Sequence, residues 1–308
     1  FTQKNVEATP QIVGKPVTLS QAVAKAAEIL KQAKQPLLCG LSTDVIGFRA
    51  VFNLAQKTNG ALKHMNAASS QRNLNVLQST GWQTTTLTEV KNRADVIVCF
   101  GTDVVSHNPR FFERNVSVDG MFVSAKQREI IFIGENNPTI DALEGSSLLG
   151  CRADDLPSVA GVLRALVLGK PLNTPNIGGI SLSDLTALAD KLKQAKYAVL
   201  VWIAKDLDFK FAELTIQNIT QTVAALNETT RAGGLALGGS DGDTTTNYAN
   251  TWLSGLALND NEAAHDAVVY INSFSASKPA PTTDLPLIVL GNGNLQAAST
   301  QTPDVFIP

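Results

Sequence analysis

Short apolar runs alternate with amphipathic stretches along the whole chain. One such stretch, Leu19–Gly40, reads LSQAVAKAAEILKQAKQPLLCG. Its apolar residues recur at helical spacing, basic residues follow in the last turn, and an apolar run ends the stretch. This pattern predicts a helix that leads into a buried strand, with Ser20 as the N-cap of the helix.

The same pattern occurs a second time further along the chain. The stretch Leu182–Trp202 reads LSDLTALADKLKQAKYAVLVW, with Ser183 as the predicted N-cap, and its motif KQAK repeats the KQAK at residues 31–34. Further predicted elements follow both copies in the same order. The pairs are Leu37–Leu41 with Ala198–Ile203, Val45–Lys57 with Phe209–Leu226, Ala61–Met65 with Leu235–Leu237, Ala94–Gly101 with His265–Asn272, Glu129–Gly134 with Leu285–Gly291, and Ser147–Cys151 with Asp304–Pro308.

This order of strands and helices predicts the fold class. Alternating strands and helices form parallel sheets covered by helices, and strands that are apolar throughout are buried on both faces. We therefore expect an α/β protein of two related, doubly wound, Rossmann-like units. The predicted units are residues 1–172 and 173–308, with the boundary in the segment 169–179, which is rich in Pro, Gly and Asn.

Ligands of such folds bind at the carboxyl ends of the strands. The predicted loops at these ends are Gly40–Asp44, Gly101–Asp103, Gly134–Asn137, Gly238–Asp243 and Gly291–Asn294, and none of them contains Lys or Arg. The Gly-rich loop Gly238–Asp243 could hold a phosphate, but it lacks the established nucleotide-binding spacings and carries two aspartates. A plain turn is the alternative interpretation of this loop.

The charge balance and the cysteines restrict the classes of partner and compartment. The chain has 308 residues, of which 44% are hydrophobic, and 25 basic residues against 27 acidic ones give a net charge of −2. This balance argues against nucleic acid or an anionic membrane as a partner, and no apolar run approaches the roughly 20 residues that cross a bilayer. Cys39, Cys99 and Cys151 stand far apart, which indicates free thiols in a reducing cytoplasm.

The titratable residues form no recognisable catalytic motif. His64, His107 and His265 do not have the spacing of metal ligands. Asp44 is interpreted as a helix N-cap, and the cluster around Glu89, Arg93 and Asp95 as a local ion pair. From these patterns we expect no catalytic, cofactor-binding or metal-ligating residue in this chain, and no bound cofactor.

A resemblance to a known family rests mainly on the segment that begins KNRADVIVCFGTD and ends NPRFFERN. This segment resembles the B-type (beta) subunit of formylmethanofuran dehydrogenases, and the residues at matching places are Asn92, Arg93, Ala94, Asp95, Gly101, Pro109, Arg110 and Arg114. Further similarity extends from ATPQIVGKPVTLSQAV near the start, through GALKHMNAASSQRNLNVLQSTGW, to TPDVFIP. The resemblance implies the fold of molybdopterin oxidoreductases.

The chain differs from this family at the residues that bind the metal and at the cysteines that take part in electron transfer. Redox-active relatives have a tungsten- or molybdenum-binding Cys or selenocysteine in the region of residues 67–73, which here reads AASSQRN, and an N-terminal cysteine motif that this chain lacks. A chain that resembles this family but lacks these cysteines is similar to a subunit of the formyltransferase/hydrolase complex of methylotrophic bacteria. That complex transfers a formyl group from tetrahydromethanopterin to a methanofuran-type carrier and releases formate. The resemblance implies a non-catalytic cytoplasmic subunit whose partners are an amidohydrolase-like alpha subunit, gamma and delta (formyltransferase) subunits, and part of the carrier.

Two other interpretations stay open at this point. The chain could be a redox subunit that binds a pterin and tungsten or molybdenum, or a separate α/β enzyme that uses thiamine diphosphate or a nicotinamide. On the structural interpretation, Arg110 and Arg114 share one helix face after Pro109. They are expected to brace their loop through backbone carbonyls or through Asp103 and Glu113.

Overall fold

The computed structural model describes residues 7–136, 138–141, 143, 145–258, 264–274 and 278–308. The strands are β1 Gln11–Ile12, β2 Lys15–Pro16, β3 Leu37–Ser42, β4 Ala61–His64, β5 Val96–Phe100, β6 Glu129–Gly134, β7 Ser146–Gly150, β8 Asn176–Ile177, β9 Ile180–Ser181, β10 Ala198–Ile203, β11 Ala232–Leu237, β12 Val268–Asn272, β13 Leu287–Gly291 and β14 Val305–Ile307. The helices are α1 Leu19–Gln32, α2 Val45–Thr58, α3 Ala67–Ser79, α4 Leu87–Arg93, α5 Val104–His107, α6 Pro109–Phe111, α7 Pro138–Asp141, α8 Leu156–Val167, α9 Leu182–Gln194, α10 Ala212–Leu226, α11 Asp243–Ser254 and α12 Gly293–Ala298. A π-helical turn spans Phe112–Val116, and 3-10 turns span Ala125–Gln127, Ala153–Asp155 and Ser240–Gly242.

The described chain divides into two compact units, and each unit contains one parallel sheet. Unit 1 comprises residues 7–71 and 239–308, and unit 2 comprises residues 72–238. The sheet of unit 1 has the order β2-β1-β14-β13-β12-β3-β4, in which β14 to β4 are parallel and the short β1 and β2 are antiparallel at one edge. The sheet of unit 2 has the order β11-β10-β5-β6-β7 and is parallel throughout. The predicted fold class, α/β with parallel sheets, is confirmed.

These units differ from the predicted division between residues 172 and 173. The parallel part of each sheet takes two strands from one half of the sequence and three from the other, because β3 pairs with β12 and β5 pairs with β10. When the strands are matched by the sequence repeat, β14-β13-β12-β3-β4 corresponds strand by strand to β7-β6-β5-β10-β11. The two sheets therefore have the same strand order, as a duplication with exchanged halves would give.

Apolar strands lie between helices in unit 2. All six residues of β10 are buried, and alternate residues face two separate apolar clusters. One cluster contains Leu200 and Trp202 together with α8, α9 and α10, whereas the other contains Val199 and Val201. This burial on both faces explains why the strand is a continuous apolar run rather than an alternating one.

Strand β11 begins three residues earlier than the predicted Leu235–Leu237, because it opens with Ala232-Gly233-Gly234. A Cβ atom on Gly234 would lie 3.1 Å from the ring of the fully buried Trp202, and one on Gly233 would lie 2.6 Å from Cβ of Thr85. The two glycines therefore allow the close approach of these side chains, although they weaken the sequence signal of a strand.

Helices α1 and α9 begin earlier than predicted. Their N-caps are Thr18 and Ser181 rather than Ser20 and Ser183. Thr18 forms a capping box with Gln21, which explains why the helix starts there. Asp44 caps α2 as predicted, with its carboxylate accepting from the backbone N–H of Gly47 at 2.7 Å.

The same carboxylate contact occurs once in each unit, at the start of a central strand. Asp95 accepts hydrogen bonds from the backbone N–H groups of Lys196 and Tyr197, at 2.8 and 2.9 Å. In unit 1, Asp266 accepts from the N–H groups of Lys34 and Gln35, at 2.6 and 3.1 Å. Each carboxylate thus joins the helix-to-strand turn that follows KQA to the start of the neighbouring strand.

The predicted local ion pair at Glu89, Arg93 and Asp95 is therefore wrong. Glu89 accepts from the hydroxyl groups of Tyr197 and Thr85, at 3.2 and 3.4 Å. Arg93 lies over the ring of Phe122, 5.0 Å from its centroid. Backbone donors occupy the Asp95 carboxylate instead of a cation.

A buried arginine holds the segment between α6 and β6. Arg128 is only 5% exposed, and its guanidinium donates to four backbone carbonyls. These belong to Ala94 (3.1 Å), Lys91, Val116 and Val118. The positive charge is thus surrounded by carbonyl dipoles, which satisfy the donors of a buried guanidinium.

We expect Arg128→Met to lower the free energy of unfolding by roughly 3 kcal/mol, since buried carbonyls left without a donor each cost about 1–3 kcal/mol. The measurement is chemical denaturation followed by circular dichroism. Lys126→Met, at an exposed position two residues away, is the control and should change stability by less than about 0.5 kcal/mol. Equal effects of the two substitutions would contradict the role assigned to Arg128.

The Asp266 contact predicts a pH dependence of stability. Hydrogen bonds from the backbone of Lys34 lower the pKa of Asp266, and those from Gln35 add to this effect. A carboxyl group whose pKa is lower in the folded state stabilises the protein above its unfolded pKa of about 3.9, and this contribution is lost as pH falls through the folded pKa. The stability difference between wild type and Asp266→Asn should therefore be constant above about pH 5 and shrink below about pH 4. Asp284→Asn, at an exposed position in the same unit, is the control; a difference that grows on acidification would contradict the assignment.

Candidate functional site

The carboxyl ends of the strands of unit 1 bring three of the predicted loops together. Gly242 lies close to Thr43, because a Cβ atom on Gly242 would be 3.0 Å from the carbonyl oxygen of Thr43. Thr43 in turn lines one cavity with Gly291 and Asn292. Asn292 is the N-cap of α12, and its side chain accepts from the N–H of Leu295 at 3.0 Å. The loops Gly40–Asp44, Gly238–Asp243 and Gly291–Asn294 therefore form one edge, as the fold predicts.

The Gly-rich loop of this edge binds its own carboxylate. Gly239, Asp241 and Gly242 have positive φ angles, which make the backbone of this loop turn sharply. One oxygen of Asp243 accepts from the backbone N–H groups of Gly239 (2.9 Å) and Thr244 (2.5 Å). These donors are therefore engaged within the loop, which favours the plain turn over a phosphate site.

His64 is a buried, neutral residue of this edge. Its Nδ1 accepts from the backbone N–H of Asn66 at 2.9 Å, so the ring proton lies on Nε2, which donates to the carbonyl oxygen of Asp241 at 3.1 Å. Burial lowers the pKa of His64, against the opposing effects of its bond to Asp241 and of the nearby carboxylates. Both ring nitrogens thus have structural partners, and His64 is arranged as a connector rather than a base.

Lys278 brings a cation to an edge that was predicted to have none. Its ammonium group donates to Oδ1 of Asn66 and lies 3.7 Å from the carboxylate of Asp241. Asn66 also donates to that carboxylate, at 3.3 Å. The backbone carbonyl of Lys278 accepts from Tyr270 and Asn272, at 2.7 and 3.1 Å. His64, Asn66, Asp241 and Lys278 thus mainly bind one another.

The corresponding edge of unit 2 is also internally bonded. Gly101 and Gly134 are in contact, and Asn137 of the predicted loop Gly134–Asn137 lies outside the described residues. Asp206, which the sequence did not single out, accepts from the Thr102 hydroxyl at 2.5 Å, and its carboxylate lies 3.1 Å from Nε2 of His107. His107 is therefore a partner of a carboxylate within the loop.

Asp103 is the N-cap of α5. Its carboxylate accepts from the backbone N–H of Ser106 at 3.1 Å and from the hydroxyl of Thr139 at 2.7 Å. Burial alone would raise the pKa of Asp103, but the hydrogen bonds from Ser106 and Thr139 outweigh it and lower the pKa. The carboxylate is thus ionised at neutral pH and bonded to Ser106 and Thr139.

The segment 67–73 also has structural partners. The Ser69 hydroxyl donates to the carbonyl oxygen of Asn66 at 2.9 Å. Arg72 donates to the carbonyl of Ala204 at 2.9 Å and pairs with Asp208. The amide oxygen of Asn73 accepts from the indole N–H of Trp202 at 2.9 Å.

Arg110 and Arg114 do not hold their loop in place through side-chain bonds. Both side chains are exposed, and neither forms a hydrogen bond or ion pair with another residue of the described chain. Pro109 begins α6 as predicted, but the chain then continues as a π-helical turn whose buried residues are Phe112 and Val116. The predicted pairing with Asp103 and Glu113 is therefore wrong, since the apolar side of this turn faces inward and its arginines face outward.

The three thiols and the ring nitrogens of the remaining histidine are buried. Cys39, Cys99 and Cys151 are free and buried, and burial is the main cause that raises their pKa values, to about 12 for Cys39 and about 11 for Cys151. His265 lies just before β12, and its ring nitrogens have no hydrogen-bond partner in the described chain. Over the described residues, no group of three His, Cys, Asp or Glu side chains is arranged to hold a metal ion, and no helix is long and apolar enough to cross a bilayer.

Comparison with known proteins identifies relatives along nearly the full chain, although no protein-family model matches it. The B-type subunit of tungsten-containing formylmethanofuran dehydrogenase 2 from Methanocaldococcus jannaschii is 22% identical over 297 residues, which cover 96% of this chain and 66% of that protein. The corresponding subunit from Methanococcus maripaludis is 24% identical, over 78% of this chain and 56% of that protein. This chain thus spans just under two thirds of the length of the first relative.

A bacterial relative and its solved structure give the same result. The B-type subunit of the formyltransferase/hydrolase complex Fhc from Methylorubrum extorquens is 25% identical, over 96% of this chain and 83% of that protein. A chain in the crystal structure of that organism's complex FhcABCD with methylofuran has the same fold, with a TM-score of 0.82 and 23% identity over 97% of this chain and 86% of that one. The chain is therefore similar to the B-type subunits of the formylmethanofuran dehydrogenases and of the Fhc complex, which confirms the resemblance found in the sequence.

Proposed function

We propose that this chain is a non-catalytic structural subunit of a formyltransferase/hydrolase complex. Such a complex transfers a formyl group from tetrahydromethanopterin to a methanofuran-type carrier and hydrolyses the product to formate. The proposed partners are an amidohydrolase-like alpha subunit, the gamma and delta (formyltransferase) subunits and part of the carrier. Because its three thiols are free and buried, we also propose that the protein works in a reducing cytoplasm.

The main support for this proposal is that polar side chains of the segment 67–73 and of the two strand edges form hydrogen bonds with other parts of the protein. Ser69, Arg72 and Asn73 hold neighbouring parts of the chain. His64 is kept neutral between two backbone groups. An active site needs a nucleophile, a base or a ligand with capacity left for the substrate. At these edges the histidines and aspartates described above are bonded to the protein itself.

The second candidate is a redox subunit that binds a pterin and tungsten or molybdenum, as the tungsten-containing relatives suggest. The residues present do not fit that metal. Soft thiolates are the protein ligands that such metals favour, and a serine hydroxyl at neutral pH is a poor substitute. The segment 67–73 has no thiol, and the chain's three cysteines lie in the core with raised pKa values.

We expect the purified protein to contain no stoichiometric tungsten, molybdenum or iron. The measurement is inductively coupled plasma mass spectrometry of the chain and of its assembled complex. A tungsten-containing dehydrogenase purified under the same conditions is the control for metal loss. One metal atom per chain, together with a pterin released on denaturation, would support the redox candidate instead.

We expect the double substitution Arg110→Ala and Arg114→Ala to leave both stability and turnover of the complex unchanged. The reason is that both side chains are exposed and form no hydrogen bond or ion pair with the rest of the described chain. The measurements are the melting temperature and the rate of formate release by the reconstituted complex.

Arg72→Ala is the control for a structural arginine, since it removes the bonds to Ala204 and Asp208. It should lower the melting temperature. If turnover collapses in the Arg110/Arg114 variant while assembly and melting temperature are unchanged, these residues serve the reaction and the structural proposal is wrong.

A further inference from the structure

Unit 2 contains a cavity at the amino ends of its strands, opposite to the carboxyl edge described above. Its volume is about 620 Å³, and its walls come from α4, from the loop before β6 and from the turns that precede β5, β10 and β11. We call it the amino-edge cavity and define it by Arg93, Asp95, Phe122, Lys196, Tyr197 and Arg231. Its size is that of a small-molecule site, for which volumes of about 300–1,000 Å³ are typical.

The charges that the amino-edge cavity presents to the solvent are positive. Arg93, Lys196 and Arg231 are exposed, whereas the two acidic residues of the wall, Glu89 and Asp95, are half-buried. Both carboxylates already accept hydrogen bonds, Asp95 from backbone N–H groups and Glu89 from hydroxyl groups. The side chains of Lys196 and Arg231 form no hydrogen bond or ion pair with the described chain. Their donors are thus available to an anionic ligand.

The places of these cations along the sheet indicate how many anionic groups such a ligand carries. Strands β5, β10 and β11 are neighbours, with Ala198 paired to Val96 on one side and to Ala232 on the other. Adjacent strands are about 4.8 Å apart, so the starts of β5 and β11 are about 10 Å apart. Cations attached over this distance suit a ligand with two or more anionic groups better than a single small anion.

An exposed aromatic ring is held beside these cations. Phe122 is 63% exposed, and the guanidinium of Arg93 lies 5.0 Å from the centroid of its ring. The backbone N–H of Phe122 donates to the carbonyl oxygen of Asn92 at 3.0 Å, and the side chain of Asn92 accepts from the N–H of Met121 at 3.2 Å. The backbone that carries the ring is therefore fixed while the ring stays exposed, which suits stacking with a planar group.

The duplication shows that the fold does not require the two arginines. The carboxylate contact that joins the turn after KQA to the neighbouring strand occurs in both units. Arg93 corresponds to Ala264 by the sequence repeat, and Arg231 corresponds to Asn59 by the register of the strands. Unit 1 thus forms the same junction with no cation at either place. A role in this junction does not explain Arg93 and Arg231, whereas binding of a ligand does.

We propose that the amino-edge cavity binds a small organic anion that carries two or more phosphate or carboxylate groups next to a planar ring. Its anionic groups bind Arg93, Lys196 and Arg231, since guanidinium groups pair with both kinds of oxyanion through two parallel hydrogen bonds. Its ring packs on Phe122. This inference is independent of the proposed function, which rests on the segment 67–73 and on the opposite edges of the sheets.

The first test measures the Kd of three probes for the full chain by isothermal titration calorimetry at low ionic strength. ADP has a planar ring and two phosphate groups, benzene-1,3,5-tricarboxylate has a ring and three carboxylates, and inorganic phosphate is a single anion. We expect one of the two ring-bearing probes to bind roughly tenfold more tightly than inorganic phosphate, because it forms more charge-assisted hydrogen bonds. The tighter of the two identifies the kind of anionic group. If neither binds more tightly than inorganic phosphate, the inference is wrong.

The second test assigns this affinity to the amino-edge cavity. Lys196→Gln and Arg231→Gln each remove one charge from an exposed side chain, so the melting temperature should be unchanged. We expect each substitution to raise the Kd of the tighter probe roughly fivefold or more. Lys126→Gln, at an exposed position outside the cavity, is the control and should change the Kd less than about twofold. Equal effects of the three substitutions would show binding by overall charge alone and would overturn the inference.

The third test concerns the ring of Phe122. We expect Phe122→Ala to raise the Kd of the ring-bearing probe and to leave the Kd of inorganic pyrophosphate unchanged, because pyrophosphate has two phosphate groups but no ring to stack. A merely structural role of Phe122 would change both values together. That result, or no change in either value, would contradict the assigned contact.

Discussion

A parallel sheet has to be covered on both faces, and the rest of this structure depends on that constraint. Its strands are apolar throughout, as in β10, where all six residues are buried. In unit 2 the constraint is met within the described chain, because α8, α9 and α10 pack on one face and the residues around Phe111, Phe112 and Val116 on the other. In unit 1 the same strand order leaves a groove beside α2.

The two halves of the duplicated sequence form two sheets by exchanging strands. Strands β3 and β4 from the first half join β12, β13 and β14 from the second, and β10 and β11 join β5, β6 and β7. Each junction is held by an aspartate, Asp95 or Asp266, whose two oxygens accept from the backbone that precedes the neighbouring strand. Neither half of the sequence would form either sheet alone, so each unit needs strands from both halves of the chain.

The sequence predicted the features that depend on neighbouring residues. The structure was needed for contacts between residues that are far apart in the sequence. Helical periodicity and continuous apolar runs identified α1, α9, β3 and β10, and the order of elements identified the fold class. The exchange of strands could not be predicted, because pairing such as β5 with β10 joins segments about a hundred residues apart. For the same reason the sequence did not reveal Lys278 beside Asn66 and Asp241, or Asp206 between Thr102 and His107. Arg110 and Arg114 were expected to act as braces because their spacing suits one helix face, but burial of Phe112 and Val116 turns them to the solvent.

We have proposed that this chain supports formyl transfer and hydrolysis without taking part in redox chemistry. The measurement that tests it most directly follows a formyl-carrier substrate in the assembled complex, with formate and a viologen dye monitored together. Hydrolysis consumes one water and yields one formate per formyl group, with no electrons released. Oxidation by a dehydrogenase yields carbon dioxide and two electrons, which the dye accepts. We expect formate in a one-to-one ratio to the carrier released and no reduced dye; dye reduction in proportion to carrier released, without formate, would contradict the proposed role.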